Sequence, residues 1–257
     1  MKTTMRMASA VVLALAGAAS AQTSELYIFS YTSNQAYVVQ NGNLNRSFAT
    51  GTYEFAGAVA GDVRTVQAYS WVGQDGKQYD TNGNDLGGRY AYTGLDYIYD
   101  ATTDGANYNY ACLYGGGDLY RFDRNWQNAQ FQFSTAGNTL GTAYDTSNNT
   151  IWTAAGSGAV SQYDLNGQLL SQFFPGGNWY GLALDPADGT LWLTQDGSYP
   201  YIAQYDQSGN HLQDVYVGNF GMGNTLGMEF DVGRVPAPGA AALLGIGGLA
   251  ASRRRRA

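Results

Sequence analysis

The sequence predicts an all-β protein: a five-bladed β-propeller, with an N-terminal signal peptide and a short hydrophobic C-terminal helix. A turn motif recurs five times at nearly constant spacing. Short segments between its copies alternate apolar and polar residues, which is typical of propeller strands. One repeat is divided between the two ends of the chain, which predicts that the N- and C-terminal strands together close one blade. The expected divisions are a signal peptide (1–21), a propeller (22–233) and a sorting and anchor segment (234–257).

The first 21 residues have the order of a secretory signal peptide. Lys2 and Arg6 precede an apolar run over residues 8–18, and small residues follow it. The run is too short to cross a bilayer of about 30 Å as a helix, so a retained anchor is the weaker interpretation. We therefore expect export and cleavage by signal peptidase. The residues that define the cleavage site are Ala19, Ala21 and Gln22.

A second processed segment is predicted at the C-terminus, where prolines, an uncharged stretch and arginines follow one another. The uncharged stretch covers residues 239–252. This order resembles the PEP-CTERM sorting signal of Gram-negative bacteria. The proline motif is Val235, Pro236, Ala237 and Pro238, and the arginines are Arg253, Arg254, Arg255 and Arg256.

The resemblance implies a route to the cell surface or the extracellular space. The segment would insert transiently in the inner membrane with its arginines on the cytoplasmic side. An exosortase-like enzyme would then remove it. Ala237 stands where the family has Glu, so a variant enzyme and an uncleaved anchor both stay open. A disordered basic tail is the weaker interpretation.

The charge of the remaining chain argues against a nucleic-acid partner. Without Lys2, Arg6 and the four terminal arginines, seven cations stand against twenty acids, a net charge of −13. Affinity for phosphate backbones comes largely from cations that displace counterions. Cys112 is the only cysteine, so no intramolecular disulfide can form and stability must come from packing.

The repeated motif is an aromatic residue followed by Asp-x-Asn-Gly or a variant of it. Successive copies end 41, 43, 41 and 42 residues apart. Such regularity is typical of a propeller and not of the loops of a sandwich. The copies are Val39-Gln40-Asn41-Gly42, Tyr79-Asp80-Thr81-Asn82-Gly83, Phe122-Asp123-Arg124-Asn125-Trp126, Tyr163-Asp164-Leu165-Asn166-Gly167 and Tyr205-Asp206-Gln207-Ser208-Gly209.

Each repeat is long enough for four strands. The last complete repeat predicts them at residues 180–185, 190–194, 201–206 and 211–217. Residues 226–231 then repeat the opening strand with no further strands behind it. Three strand-like segments at the other end, residues 25–31, 35–40 and 44–49, have no opening strand before them. The two ends are therefore expected to share the fifth blade.

Gly181-x-x-x-Asp185 followed by Asp188-x-Thr-Leu-Trp192 resembles repeats of the NHL and lactonase-type propeller superfamilies. The resemblance implies a propeller over residues 22–232 and is carried mainly by the last three repeats. The repeat over residues 61–94 departs from it because it lacks the Thr-φ-Trp step. A β-sandwich and a six-bladed propeller stay open as alternatives.

Catalytic residue types are scarce. A Ser-His-Asp or Cys-His arrangement needs a histidine base, and the sole histidine, His211, is predicted on an outer strand. Cys112 is predicted as a buried residue of a strand over residues 108–113. Asp80-x-Asn82-x-Asn84 has the spacing of half a calcium loop, but its place in the repeat favours a hairpin turn.

A lactonase-like centre is the alternative that involves a metal. It would require polar side chains at the inner ends of the strands, and three asparagines recur just before the opening strands. The simpler interpretation is that these asparagines bond local backbone. The candidate residues on the channel face are Asn138, Asn178 and Asn224.

These observations favour a non-catalytic binding or scaffold module in the cell envelope or extracellular matrix. No cofactor is expected. Its ligand would be an unidentified polysaccharide or protein of the cell surface. The alternatives are a calcium-dependent lactonase-like hydrolase and a purely structural matrix component. Twenty-one tyrosines and five tryptophans would suit carbohydrate stacking, although packing between blades is the simpler role for most of them.

Overall fold

A computed structural model describes residues 24–195 and 200–233. These residues form twenty β-strands and two 3₁₀ turns, Ser70–Val72 and Gly218–Phe220. The strands are β1 Leu26–Ser30, β2 Gln35–Gln40, β3 Asn43–Ala49, β4 Ala56–Val59, β5 Asp62–Val66, β6 Gly76–Asp80, β7 Asp85–Tyr90, β8 Ile98–Thr103, β9 Tyr108–Leu113, β10 Asp118–Asp123, β11 Gln130–Ser134, β12 Thr139–Asp145, β13 Thr150–Ala155, β14 Val160–Asp164, β15 Leu169–Phe173, β16 Trp179–Leu184, β17 Leu191–Gln195, β18 Tyr201–Tyr205, β19 His211–Tyr216 and β20 Thr225–Phe230.

The strands form five antiparallel sheets of four strands, which are the blades of a propeller. Blade 1 has the order β20-β1-β2-β3, and blades 2 to 5 follow as β4–β7, β8–β11, β12–β15 and β16–β19. The innermost strands of neighbouring blades contact one another around a complete ring, from β4 through β8, β12 and β16 to β20 and back to β4. The predicted five-bladed β-propeller is confirmed.

Blade 1 closes the ring, as the divided repeat predicts. Strand β20 pairs with β1 in antiparallel register, with Leu26 opposite Phe230 and Ile28 opposite Met228. Every residue of β1 and β20 is buried. When the two strands pair, much of their apolar surface is removed from water. This burial is the main driving force for closure.

The predicted strands of blade 5 agree with the structure to within one residue at each end. Blade 2 also has four strands, although its sequence matches the repeat least well. Its second strand, β5, lacks the Thr-φ-Trp step of the repeat. The connection between β5 and β6 is also long, since it spans residues 67–75 and contains the turn Ser70–Val72.

The recurring aspartate organises the hairpin between the third and fourth strands. Asp80 Oδ1 accepts hydrogen bonds from the main-chain N–H groups of Asn82 (2.8 Å) and Asn84 (2.9 Å). Asn84 Nδ2 donates to Asp80 Oδ2 at 2.7 Å. Asp206 makes the same three contacts in blade 5. The hairpin interpretation of the Asp80 motif is confirmed, and the carboxylate serves as a turn cap.

Blades pack against one another through an aromatic residue on the fourth strand. In blades 1, 3 and 4 this residue contacts the hairpin glycine of the next blade, where a Cβ atom would lie under 3 Å from the ring. The glycine is therefore required by packing as well as by its positive φ. In blade 5 the equivalent residue is Val215. The four aromatic residues are Phe48, Tyr90, Phe133 and Phe173.

Candidate functional site: an aromatic funnel above a buried aspartate

A funnel of about 360 Å³ opens at the end of the ring where the inner strands begin. All five blades contribute to it, and none of the described residues that line it is charged. Five lining residues occupy the same position in the five blades, at or just before the start of the inner strand. These five are Phe55, Tyr99, Leu140, Tyr180 and Leu226, and the rim adds Tyr31, Tyr53, Tyr69 and Tyr114.

The aromatic rings of the funnel contact one another mainly edge to face. Tyr69 lies 6.0 Å from Phe55 and 6.1 Å from Tyr99 between ring centroids, and Tyr53 lies 5.5 Å from Phe55. The hydroxyl groups of Tyr69 and Tyr99 are hydrogen-bonded at 2.9 Å. Burial and this bond raise the pKa of Tyr99, so its hydroxyl stays protonated at neutral pH. The rings thus hold each other in place and present both apolar faces and hydroxyl groups.

Two tyrosines of this region have a left-handed backbone. Tyr53 has φ +62° and Tyr97, which packs against Tyr69 at 5.7 Å, has φ +68°. A bulky residue seldom adopts positive φ because its Cβ crowds the following carbonyl. Such strained positions cluster at functional sites, where the surrounding structure enforces them.

Asp100 lies directly below the funnel, one residue after Tyr99 on β8. Its side chain is completely buried and both carboxylate oxygens accept hydrogen bonds. Three of the four donors come from three other blades, so this one side chain links the inner strands of blades 1, 3, 4 and 5. The donors are the main-chain N–H groups of Ala101 (2.9 Å), Thr142 (2.9 Å), Leu182 (3.0 Å) and Met228 (2.9 Å).

The position of Asp100 is occupied by a small residue in each of the other blades, and Gly227 lies close to its carboxylate. The equivalent residue is alanine in β4 and glycine in the other three inner strands. A Cβ atom at Gly227 would lie 2.4 Å from the Phe55 carbonyl oxygen and 3.1 Å from Asp100 Oδ1. The four small residues are Ala56, Gly141, Gly181 and Gly227.

Burial is the main influence on the ionisation of Asp100. Desolvation raises its pKa well above the ordinary value, and the four N–H donors oppose that rise. Glu229, two strands away on β20, is also fully buried and its pKa is raised for the same reason. Asp100 has no exposed surface, so its carboxylate contacts no solvent and does not itself line the funnel.

The asparagines predicted on the channel face all lie just before inner strands, and one of them is hydrogen-bonded to a residue of the funnel. Asn224 Nδ2 donates to the Tyr31 hydroxyl at 2.7 Å. Asn138 is exposed and has φ +59°. Its main-chain carbonyl accepts a hydrogen bond from Gly156 N at 2.9 Å. Asn178 is exposed. A polar ring formed by the three side chains stays a prediction.

The residues considered for nucleophilic chemistry lie far apart in the fold. His211 is exposed on the outer strand β19 and its Nε2 lies 2.9 Å from Asp214 Oδ1. Cys112 is buried on β9, within the predicted strand, and burial raises the pKa of its thiol to about 12. A thiol with this pKa is not a nucleophile at neutral pH.

Within residues 24–195 and 200–233, no group of three or more His, Cys, Asp or Glu side chains is placed to hold a metal ion. In the same ranges, no helix has the length and apolar character needed to span a membrane. The predicted cleavage site and the predicted sorting motif, from Val235 to Arg256, lie outside the described residues.

No family model matches the chain, and no curated protein matches it in sequence. Solved structures do match its fold. One is a chain from the crystal structure of a nidogen/laminin complex, with a TM-score of 0.56 and 8% identity over 82% of this chain and 99% of that one. Another is a protein of unknown function from Bacteroides caccae, with a TM-score of 0.48 and 13% identity over 76% and 73%. At 8% identity, the first match supports the propeller fold alone.

The sequence did not single out the funnel or Asp100. A signal for Asp100 was present, because it lies four residues before Asp104, where three of the other four inner strands have Gly in Gly-x-x-x-Asp. An acid in place of a recurring glycine at the ring axis indicates a special role. The rim tyrosines carry a weaker signal because only Tyr31 and Tyr114 share a repeat position, directly after the second strand of their blades.

Proposed function

We propose that the protein is an exported, surface-sorted and non-catalytic binding module of the cell envelope or extracellular matrix. In this proposal the aromatic funnel binds a surface saccharide. The observation that carries the proposal is the lining of the funnel, where the described residues supply seven aromatic rings, several hydroxyl groups and no charge.

A saccharide fits this lining better than a charged ligand. Sugar rings present C–H faces that pack on aromatic rings, and their hydroxyl groups pair with tyrosine hydroxyls. The volume of about 360 Å³ is within the usual range for small-ligand sites. A charged ligand would lose its hydration in the funnel without gaining an opposite charge.

Non-catalytic binding is favoured by the residue types that line the funnel in the described part of the chain. Among its nine lining residues, only tyrosine hydroxyls could take part in proton transfer. Export and sorting rest on the signal peptide and the PEP-CTERM-like segment predicted from the sequence. The fold match to a chain from a complex of nidogen and laminin agrees with a binding role, although propellers serve many functions.

The test of the funnel is a saccharide screen of the purified protein, followed by titration calorimetry on the best ligand. Tyr69→Ala and Tyr180→Ala are each expected to weaken binding at least tenfold, because each removes a ring from the funnel. Phe174→Ala is the matched control, since Phe174 is an exposed aromatic residue outside the funnel. If both tyrosine variants fold and bind as tightly as the wild type, the funnel is not the site.

Export and the absence of catalysis have their own tests. N-terminal sequencing of the mature protein is expected to begin at Gln22, and added protease is expected to digest the protein on intact cells. Turnover of lactones that disappears after chelation of calcium would contradict a non-catalytic role. Intact protein that retains Met1 in the cytoplasm would contradict export.

A further inference from the structure

A second cavity, here called the seam groove, lies where blade 5 meets blade 1. It has a volume of about 520 Å³ and is separate from the funnel, with which it shares no lining residue. Its apolar part contains Trp192 and Phe230, and its polar part contains Asp185, Asp188 and Asn41.

The groove is open because two aromatic residues are missing at this seam. Between blades 4 and 5, Phe173 packs against Tyr205 with ring centroids 5.9 Å apart. The equivalent pair between blades 5 and 1 is Val215 and Val39. The two valines therefore leave a gap between the sheets of blades 5 and 1. Aromatic rings fill the corresponding space between blades 4 and 5.

One consequence is the partial exposure of Trp192. Its equivalent in blade 4, Trp152, is completely buried beside Phe173, whereas Trp192 is only partly covered, by Phe230 at 6.0 Å. The indole is held in place because its Nε1 donates to Thr190 Oγ1 at 3.0 Å. Gln204 Nε2 donates to the same oxygen at 2.8 Å. Trp192 is thus a fixed aromatic surface on one wall of the groove.

The charges of the groove are uncompensated. Two carboxylates line it, and no lysine, arginine or histidine among the described residues does. Burial raises the pKa of Asp185, and the neighbouring charge of Asp188 contributes to the rise. Within the described residues, Asp185 Oδ1 accepts hydrogen bonds from the Ser24 hydroxyl and the Ala187 N–H. Asp188 Oδ1 accepts hydrogen bonds from the N–H and the hydroxyl of Thr190.

We propose that the seam groove binds a small organic cation, a guanidinium or alkylammonium group on a short apolar stem. The cation would lie near the indole of Trp192 and the two carboxylates, and the stem would contact Val215 and Phe230. Organic cations are attracted to the face of tryptophan, and loss of water strengthens the attraction. A neutral ligand would leave the two negative charges uncompensated.

The direct test is calorimetric titration of the protein with butylguanidinium and, separately, with butylurea. The two compounds have nearly the same shape and differ in charge. We expect saturable binding of butylguanidinium that is at least tenfold tighter than binding of butylurea. Raising NaCl from 20 to 300 mM is expected to weaken butylguanidinium binding several-fold because salt screens partly exposed charges.

Variants locate the site. The double variant Asp185→Asn with Asp188→Asn is expected to weaken butylguanidinium binding at least tenfold. The double variant Asp75→Asn with Asp118→Asn removes the same charge from blades 2 and 3 and is the matched control. Val215→Phe restores the aromatic residue found in the other blades. It is expected to abolish binding while the melting temperature stays equal or rises, so loss of folding cannot explain the result.

Equal binding of butylurea and butylguanidinium would overturn the proposal. So would unchanged binding of butylguanidinium in the Asp185/Asp188 double variant or in a folded Val215→Phe variant. Saccharide binding by the funnel is expected to survive Val215→Phe. The experiments can therefore contradict cation binding in the seam groove without contradicting saccharide binding in the funnel, and the reverse.

Discussion

Asp100 is the residue on which four blades converge. A buried carboxylate is costly unless hydrogen bonds satisfy it, and here four main-chain N–H groups do so. The N–H groups of Thr142, Leu182 and Met228 lie in buried inner strands, so each of them also requires a hydrogen-bond acceptor. The side chain therefore satisfies groups that the ladder of each single blade leaves unpaired.

The variant Asp100→Asn tests this role. An amide replaces one acceptor oxygen by an N–H₂ group, which then faces main-chain N–H donors. The free energy of unfolding is expected to fall by about 2–4 kcal/mol in urea denaturation. The control Asp75→Asn changes an exposed aspartate and should stay within about 0.5 kcal/mol of the wild type. Equal midpoints for the two variants would show that Asp100 does not hold the inner strands together.

At the scale of elements, three of the five blade seams are formed by one hairpin glycine and one fourth-strand aromatic residue. Gly83, Gly167 and Gly209 lie under rings of the preceding blade and all have positive φ. The repeated Asp-x-Asn-Gly thus specifies a turn and a contact between blades at the same time. Blade 3 has Trp126 at this position, which is fully buried beside Phe122 at 5.4 Å.

A pair of alanine variants separates the two roles of the hairpin glycine. At Gly209 (φ +86°) a Cβ would lie 2.6 Å from the Phe173 ring, whereas at Gly176 (φ +76°) no atom lies within 4 Å. Both variants carry backbone strain of about 1–2 kcal/mol. Gly209→Ala is expected to cost a further 1–3 kcal/mol, roughly, because Phe173 must move. Equal losses in thermal or urea unfolding would mean that the contact adds nothing to the turn.

At the scale of the whole molecule, closure depends on one strand from the far end of the chain. Strand β20 completes blade 1, supplies the Met228 donor to Asp100 and, through Gly227 N, bonds to the Phe55 carbonyl of blade 2 at 3.1 Å. Removal of this strand would expose the buried β1 as a free edge.

A truncation tests closure. A chain that ends at Gly223 is expected to lose cooperative thermal unfolding, measured by circular dichroism, and to lose hydrogen-exchange protection in β1. A chain that ends at Gly233 keeps β20 and is the matched control, expected to unfold cooperatively. Cooperative unfolding of both chains at the same temperature would contradict a stabilising role for β20.

The number of blades and their closure could be predicted because the signals are local. An Asp-x-Asn-Gly hairpin and a period-two strand each occupy a few consecutive residues, and propellers repeat them at fixed intervals. Blade 2 matches the repeat least well because its sequence lacks the Thr-φ-Trp step. The predicted position of Cys112 in a buried strand is confirmed for the same local reason.

The sequence by itself determined a closed ring of five four-stranded sheets, since strand periodicity, hairpin chemistry and the divided repeat are written along the chain. Only the tertiary structure decided where cavities form. The funnel collects residues from five blades, and the seam groove exists because Val39 and Val215, which are remote in sequence, face each other. Packing across blades depends on which side chains meet in space, and single-sequence patterns do not contain that information.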